Sequence, residues 1–385
     1  MSAPESTKAT GRFVLPVVAI CFFLSGYLVH DIASRLSGTF ALLQEAHGYL
    51  VRHYLNDLPS PHALQQGMIE GMLAHVGDPY TVYVPPAQHE LQTDTLAGEY
   101  GCIGVSVVTD EAGRQVLFPF PDGPAARAGI MDGDILLAVD HIEIDESFTV
   151  DVVTALLRGD EGTSVILDIF PSSSDNPQTV TLIRTNFPVP TVQGYLHPDS
   201  SSVGVLDVNL ISQQTTEEID RTLRELMNDG AAVFLLDLRG NTGGLLDEGI
   251  DVADYFLASG IIMVERTRNS GEVVYRAHSG EFGEDIQMVV LVDGSSASAA
   301  EIIAAALQQN GRALLVGTAT YGKGSVQSIY ELQDGSSVHI TTSQWLTPSN
   351  ATIDGSGLQP DLVVDAGTDS NDPTATAAIA LLLYE

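Results

Sequence analysis

The chain has 385 residues, of which 44% are hydrophobic and 17% charged, and its formal net charge is −34. This length allows two or three domains, and the composition is that of a globular rather than a disordered protein. Nucleic acid is a poor partner for so acidic a chain, because phosphate binding requires clustered lysine and arginine. Cys21 and Cys102 are the only cysteines, which excludes a disulfide framework and a cysteine-based metal site.

Lysine is nearly absent from the chain. Of the 16 basic residues 14 are arginine, and only Lys8 and Lys323 are lysine. Arginine serves a solvated surface equally well, but its pKa above ~12 disqualifies it as a proton acceptor near neutral pH. The count alone leaves two interpretations open: Lys323 is a surface residue that survived by chance, or its chemistry is needed.

The N-terminal segment contains a candidate membrane anchor. Residues 13–29 carry no charge and follow Lys8 and Arg12, which favours a spanning helix with a cytoplasmic N-terminus. The alternative is a cleaved signal peptide, although the bulky end of the run offers no small-residue cleavage site. We therefore expect residues 1–30 to anchor the chain in the cell membrane with the catalytic part outside the cytoplasm, secretion after cleavage being the alternative.

The next two segments differ in their periodicity. Residues 31–94 show apolar residues at helical spacing and predict a helical region, in which Gly77 and Pro79 end the second helix. Residues 95–187 predict a β-rich domain, with strands at 105–108, 115–118, 135–139 and 164–169 and a short helix at 151–157.

The last segment, residues 188–385, alternates strands and helices after a proline-containing linker at 187–190. Thr216 is the expected N-cap of the first helix, which ends at Gly230. Strands are expected at 203–208, 232–238, 288–292 and 313–317, and further helices at 248–257 and 298–309. This alternation indicates an α/β domain with a parallel or mixed sheet covered by helices.

Two motifs in the β-rich segment resemble those of PDZ domains. One runs from Gly123 to Ile130 and continues into Asp132-Gly133-Asp134, and the other is the glycine-containing stretch Tyr100–Val105. Glycines let successive backbone amides turn toward one anion. The resemblance implies that the stretch binds the C-terminal carboxylate of a peptide, through Gly101, Cys102, Ile103, Gly104 and Val105.

A small-residue turn between a buried strand and a helix carries Ser298. A helix N-terminus offers free N–H groups to a developing oxyanion, so Ser298 could be a nucleophile. Ser298 and Glu301 also fit a capping box, a purely structural role. The stretch alone leaves both interpretations open.

Lys323 lies between Gly322 and Gly324, soon after an apolar strand. A surface lysine needs no flanking glycines, whereas a lysine that must fit beside a nucleophile in a crowded site does. The two flanking glycines therefore favour a buried, chemically active lysine.

Three motifs together resemble the carboxyl-terminal processing proteases, or tail-specific proteases, a Ser/Lys peptidase family (S41) with an embedded PDZ domain. They are Asp237–Gly244, Ser296–Glu301 and Gly322–Gln327, and the resemblance extends from about Gly48 to Val364. Two positions depart from the family pattern, with Thr242 where proline is common and Ala300 in place of a serine. The resemblance implies a multidomain α/β plus β protein whose catalytic domain has a Clp protease/crotonase-like fold with a mixed sheet.

The resemblance also implies the catalytic roles. Ser298 is the expected nucleophile, Lys323 the general base and Gln327 the residue that orients the lysine. The oxyanion hole is expected at the backbone N–H of Ala299, with that of Gly243 or Gly244. No metal and no cofactor are needed, but the pKa of the lysine must fall by burial.

The expected partners are protein or peptide substrates with free, apolar C-terminal tails, docked by the PDZ domain, and a homo-oligomer is a further expectation. A Ser-His-Asp protease is disfavoured, because His278 and His339 lie in ordinary strand or loop contexts. A non-catalytic PDZ scaffold or ligand-binding protein on the same fold is the other alternative. Loss of Ser298 or Lys323 would have indicated it, and both are present. Whether the PDZ domain activates or blocks the site stays open.

Overall fold

The computed structural model describes residues 40–365 and 372–384. Short gaps within this range fall at residues 87, 90–92, 94–95, 97–100, 111, 121–122, 146–147, 149, 175, 187–189, 269–270 and 280–281. The predicted anchor at residues 13–29 and the predicted domain boundaries at 94 and 187 lie outside the described residues. Among the residues that are described, no helix is long and apolar enough to cross a membrane.

The chain divides into two compact units, residues 1–69 and 70–385. The described part of the first unit is helical, as its periodicity predicted. The helices in chain order are α1 (residues 40–53), α2 (Pro61–Ala74), α3 (Pro124–Arg127), α4 (Val150–Leu157), α5 (Thr215–Asn228), α6 (Leu246–Phe256), α7 (Ala299–Gln309) and α8 (Pro373–Tyr384). A 3₁₀ turn spans Phe282–Asp285.

The strands lie in the second unit. In chain order they are β1 (Val82–Val84), β2 (Gly101–Cys102), β3 (Val105–Thr109), β4 (Gln115–Pro119), β5 (Asp134–Val139), β6 (Ile142–Glu143), β7 (Ser164–Phe170), β8 (Gln178–Ile183), β9 (Thr185–Asn186), β10 (Val192–His197), β11 (Ser200–Val208), β12 (Val233–Asp237), β13 (Ile261–Thr267), β14 (Gly271–Arg276), β15 (Met288–Val292), β16 (Leu315–Gly317), β17 (Ser325–Glu331), β18 (Ser337–Leu346) and β19 (Leu362–Val363).

The β-rich segment forms an antiparallel sheet of order β3-β4-β5-β7-β8, with β6 on the edge of β5. The four predicted strands and the predicted helix, α4, are confirmed within two residues. Leu117, Leu136 and Leu167 point from the sheet into a core that α4 closes with Val153 and Leu157. The PDZ-like motif Gly123–Ile130 forms α3 and a left-handed turn at Gly129, where φ is 88°.

The α/β segment is built on a six-stranded sheet of order β10-β11-β12-β15-β16-β19. β10 pairs antiparallel with β11, and the remaining pairs are parallel, so the mixed sheet that the alternation predicted is confirmed. Every residue of β12 and β15 is buried, because helices cover both faces. One apolar core contains residues of α5, α6 and α7, and another contains residues of α8.

A second sheet carries the strand that follows Lys323. Its order is β1-β18-β13-β14, with β17 on the edge of β18 and all pairs antiparallel. The prediction that residues 31–94 are helical throughout is wrong at β1. Val82, Tyr83 and Val84 are β-branched or aromatic, and Val82 pairs with His339 of β18.

The predicted start of the first helix of the α/β segment is also wrong. The helix α5 begins at Thr215, and Gln214 occupies the N-cap position. Thr216 lies inside the first turn, where its backbone N and its Oγ1 both donate to Glu248 Oε1 at 2.7 Å. The Thr216 hydroxyl, which suggested an N-cap, instead donates a hydrogen bond to Glu248 of the neighbouring helix α6.

Candidate active site

Ser298 lies between the buried strand β15 and helix α7, at the N-cap of that helix. Its backbone adopts φ 56° and ψ −118°, a conformation that non-glycine residues rarely hold. Backbone strain of this kind persists only where surrounding contacts fix it, and it concentrates at functional sites. The capping interpretation holds in part, because the N–H of Ser298 donates to Glu301 Oε2 at 2.9 Å.

The turn that carries Ser298 is fixed against the loop that follows β12. Ser296 Oγ donates to the carbonyl of Leu238 at 2.7 Å, and the N–H of Ala297 donates to the carbonyl of Asn241 at 2.9 Å. The fully buried Asn241 side chain donates in turn to the carbonyl of Val208 at 2.7 Å. Three neighbouring strands therefore set the position of the serine.

Gly243 has to be glycine for Ser298 to approach. Its φ is 103°, and a Cβ added to it would lie 2.8 Å from the Cβ of Ser298 and 3.1 Å from the N of Ala299. A side chain at this position would fill the space in front of the serine. The Asp237–Gly244 motif thus lines one side of the site, where the absence of a side chain at Gly243 leaves the approach to Ser298 open.

The backbone donors of the site differ in availability. The N–H of Gly243 donates to Asn241 Oδ1 at 2.8 Å. Within the described part of the chain, the N–H groups of Ala299 and Gly244 have no protein acceptor. Ala299 is the first residue of α7, where a free N–H is expected. Ala299 and Gly244 therefore each offer the cleft a backbone N–H that is free to donate to an oxyanion.

Glu301 connects the serine segment to the lysine segment. Its side chain is fully buried. Oε2 accepts from the N–H of Ser298 and of Lys323, both at 2.9 Å, and Oε1 accepts from Gly322 N at 2.7 Å and Thr320 Oγ1 at 2.5 Å. One carboxylate thus fixes the backbone of both predicted catalytic residues.

Lys323 is held at a close backbone crossing. Gly322 has φ 88°, and a Cβ there would lie 2.6 Å from the N of Gly357. Both the backbone conformation and the lack of space therefore require glycine at this position, as predicted. Trp345 Nε1 donates to the carbonyl of Lys323 at 2.9 Å. Burial lowers the pKa of the Lys323 amine, although the carboxylates of Glu301 and Asp78 act to raise it.

Gln327 lies two residues into β17, directly after a bulge. Its Nε2 donates to Ser325 Oγ at 2.9 Å and to Thr341 Oγ1 at 3.3 Å. Both amide hydrogens are therefore used within the protein. The carbonyl oxygen of the amide remains as a hydrogen-bond acceptor, which is the role required of a residue that orients an amine.

One cleft of about 640 Å³ brings these residues together. Ser298, Lys323 and Gln327 line it, as do the predicted oxyanion residues Ala299, Gly243 and Gly244. The rest of the lining is largely apolar, including Leu96, Leu210, Leu246, Ile302 and Trp345. All six residues that the sequence nominated for catalysis therefore face the same space.

The five residues of the PDZ-like loop lie outside this cleft, at the entry to the antiparallel sheet. Gly101 and Cys102 form β2, which pairs with β9. Ile103 is buried in the PDZ core, and the carbonyl of Gly104 accepts from the N–H of Phe120 at 2.9 Å. Val105 begins β3. The stretch Gly101–Val105 thus leads into the antiparallel sheet next to α3.

His339 is a cleft residue that the sequence did not indicate. It lines the cleft from β18, and its Nε2 is buried without a hydrogen-bond partner. Burial lowers the pKa of this imidazole, and the neighbouring His89 and Lys323 lower it further. Its sequence context is that of an ordinary strand, and it reaches the cleft because β18 pairs with β17, where His339 lies opposite the cleft residue Ile329.

In the described residues, no cluster of three or more histidine, cysteine, aspartate or glutamate side chains is arranged to hold a metal ion. The functional groups that line the cleft include the Ser298 hydroxyl, the Lys323 amine, the Gln327 amide and the His339 imidazole.

Comparison with known proteins identifies the class. The sequence profile of peptidase family S41 matches residues 202–364, and that of the PDZ domain matches residues 121–169. A carboxy-terminal-processing protease of Bartonella bacilliformis is 33% identical over 320 residues, which cover 82% of this chain and 73% of that protein. A carboxyl-terminal-processing protease of Synechocystis sp. is 35% identical over 301 residues, covering 77% and 70%.

Among solved structures, one of the S41 protease class from Bacteroides fragilis superposes with a TM-score of 0.51 at 17% identity, over 85% of this chain and 92% of that one. This likeness concerns the fold. Profiles and fold together define a serine-type peptidase with an embedded PDZ domain, which acts on proteins or peptides. The chain belongs to the carboxyl-terminal-processing proteases of peptidase family S41.

The role of Glu301 can be tested with Glu301→Gln. The glutamine side chain has one acceptor oxygen where the glutamate carboxylate has two. The NH₂ group of the variant would therefore face backbone N–H donors. We expect kcat/KM to fall by about 100-fold, because small displacements of reacting groups have effects of that size. We also expect the free energy of unfolding to fall by about 3 kcal/mol, measured by thermal unfolding.

The matched control is Glu331→Gln, a change at an exposed position of β17. It should leave both quantities as in the wild type. Wild-type kcat/KM in Glu301→Gln would show that the carboxylate does not position the site.

Proposed function

We propose that this chain cleaves protein substrates near their C-termini, with Ser298 as nucleophile and Lys323 as general base. The observation that carries the proposal is the buried amine of Lys323, which shares one cleft with Ser298 and has its pKa lowered by burial. A neutral amine can take a proton from a serine hydroxyl, whereas an ammonium cannot.

The chemistry proceeds in two steps. Neutral Lys323 takes the proton of the Ser298 hydroxyl as Oγ attacks the peptide carbonyl, and the resulting ammonium returns that proton to the departing amine. Water then attacks the acyl-enzyme while Lys323 again accepts a proton, which passes back to Ser298 as the new carboxyl-terminal product leaves. Each cycle ends with a neutral lysine and a protonated serine.

The developing oxyanion would bind the N–H of Ala299 and that of Gly244. Both residues line the cleft, and neither N–H has a protein acceptor in the described structure. Gly243 contributes differently, because its N–H is already bonded to Asn241 and its missing side chain keeps the approach to Ser298 open. Loss of one such donor typically lowers kcat 10²–10³-fold.

Gln327 would orient the amine through its carbonyl oxygen. Its NH₂ group is bonded to Ser325 and Thr341, which leaves that oxygen as the acceptor. An amide also leaves the charge of the site unchanged. A carboxylate at the same position would stabilise the ammonium and raise the pKa of Lys323.

His339 is a weaker candidate for the base. Its Nε2 has no hydrogen-bond partner among the described residues, and the groups that act on its pKa electrostatically are the basic residues His89 and Lys323. A histidine base is ordinarily held by a carboxylate on its second nitrogen. Lysine is therefore the better assignment.

The PDZ domain would receive the C-terminal carboxylate of a substrate with an apolar tail at Gly101–Val105. We further propose that residues 1–30 anchor the enzyme in the cell membrane, so that it acts on proteins outside the cytoplasm. A homo-oligomer is compatible with this arrangement.

The Ser/Lys assignment predicts the behaviour of four variants. Ser298→Ala, Lys323→Ala and Lys323→Arg should each lower kcat by at least about 10⁴-fold, since a guanidinium cannot accept the serine proton. In the control variant, His339→Gln, kcat should fall by less than about tenfold. The measurement is kcat on a peptide that carries a C-terminal tail, with circular dichroism to check folding. Full activity in Lys323→Ala would refute the assignment.

The proposed role of the PDZ domain predicts a dependence on the free carboxylate. A substrate whose C-terminus is amidated should show kcat/KM lowered by about tenfold or more, because the charge-assisted hydrogen bonds to the loop are lost. A short peptide without a tail is the control, and amidation should leave its hydrolysis unchanged. Equal rates for both forms of the long substrate would show that the loop does not recognise the terminus.

A further inference from the structure

A turn far upstream of the catalytic motifs lies next to the proposed base. We call it the upstream turn; it consists of Asp78, Pro79, Tyr80 and Thr81 and directly precedes β1. The carboxylate of Asp78 accepts from the N–H of Tyr80 at 3.0 Å and from Thr81 Oγ1 at 2.6 Å. These bonds give the turn one defined conformation.

The upstream turn is bonded to β18. The N–H of Thr341 donates to Thr81 Oγ1 at 3.2 Å, and Val82, the next residue along the chain, pairs with His339. Thr81 has a single hydroxyl hydrogen, which it donates to Asp78, so its oxygen is free to accept from Thr341. Asp78 and Thr81 together therefore fix the backbone of Thr341.

Thr341 in turn holds Gln327. Its Oγ1 accepts from Gln327 Nε2 at 3.3 Å. Burial acts to raise the pKa of Asp78, but hydrogen bonds from the hydroxyls of Thr341 and Thr81 bring it below its usual range. Because the NH₂ group of Gln327 donates to Thr341 and Ser325, its carbonyl oxygen is left to accept a hydrogen bond from an amine.

The other half of the turn contacts the lysine itself. Lys323 Nζ lies 5.2 Å from the centroid of the Tyr80 ring, within the range of a cation–π interaction. Burial and a hydrogen bond with Tyr321 raise the pKa of Tyr80 to about 12, so the phenol stays neutral near neutral pH. The ring therefore attracts the ammonium form of Lys323 and offers no competing charge.

We propose that the upstream turn is a positioning element of the active site: Asp78 and Thr81 orient Gln327 through Thr341, and Tyr80 holds the side chain of Lys323. The inference rests on the proposed Ser298–Lys323 function. The residues of the upstream turn act through Gln327 and Lys323 rather than on the substrate, so they are positioning residues. Segments separated by more than 200 residues of sequence would then share one site.

Several charged or titratable groups face Lys323, and each affects a pH profile. They are Glu301 from α7, Asp78 and Tyr80 from the upstream turn, and His339 from β18. Single substitutions that leave the other groups in place separate the contribution of the turn.

The first arm of the test is Thr81→Val. Valine has the shape of threonine but no hydroxyl, so the N–H of Thr341 loses its acceptor and Asp78 loses one donor. We expect kcat to fall about tenfold with KM unchanged, and Thr81→Ser, which restores the hydroxyl, to recover most of it. The control is Thr342→Val, which removes a hydroxyl of the same strand that pairs with Ser328 at an exposed position. Its kcat should be that of the wild type.

The second arm is Tyr80→Leu, at a half-buried position, with circular dichroism to check folding. Leucine covers the amine without attracting the ammonium, so more of Lys323 is neutral at low pH. On the acid side of its profile kcat/KM should rise about two- to fivefold relative to its plateau. Tyr80→Phe keeps the ring and should keep the wild-type profile.

The outcomes distinguish this inference from the function on which it rests. Wild-type kcat in Thr81→Val together with a wild-type pH profile in Tyr80→Leu would overturn the inference, while inactivity of Lys323→Ala would still support the dyad. Activity in Lys323→Ala would overturn the dyad itself. A loss in Thr81→Val that Thr81→Ser does not restore, or that raises KM in parallel, would also count against positioning.

Discussion

The site depends on the buried carboxylate of Glu301. It accepts hydrogen bonds from the backbones of Ser298 and Lys323, residues that follow different strands and that no other described bond joins directly. The same negative charge acts to raise the pKa of Lys323, which opposes the chemistry proposed for it. Burial of the amine outweighs this effect and the pKa falls. The structure therefore combines a rigid connection with a lowered pKa at the proposed base.

The fold explains why such a connection is possible. The strands β12 and β15 are parallel neighbours, so the loops after them leave the sheet at the same edge. One loop carries Gly243 and Gly244, and the other carries Ser298. The lysine arrives from the second sheet, whose strand β17 begins directly after Gly324. Two sheets thus contribute to one cleft, and Glu301 lies where they meet.

Much of the site could be predicted from the sequence because its residues lie in short, local motifs. Ser298, Lys323 and Gln327 were indicated by glycine spacing and family resemblance, and all three line the cleft. Glu301 was visible only as a capping residue, since its bonds to Gly322 and Lys323 depend on tertiary structure.

The parts that the sequence missed are those set by long-range pairing. Val82–Val84 is too short to show strand periodicity, and its pairing with β18 is what brings the upstream turn to the cleft. Thr216 has the hydroxyl of an N-cap, but a carboxylate on the next helix, Glu248, binds it instead. In each case the local pattern was compatible with two structures, and a partner distant in sequence decided between them.

The central claim is that Lys323 is a base with a lowered pKa, and the near absence of lysine makes this directly measurable. In a Lys8→Arg variant Lys323 is the only lysine, so ¹³Cε-labelled lysine gives a single resonance to titrate by NMR. The account predicts a titration midpoint clearly below the ordinary lysine value of 10.5 in the folded protein, returning to that value on unfolding. A folded-state midpoint at or above 10.5 would contradict it.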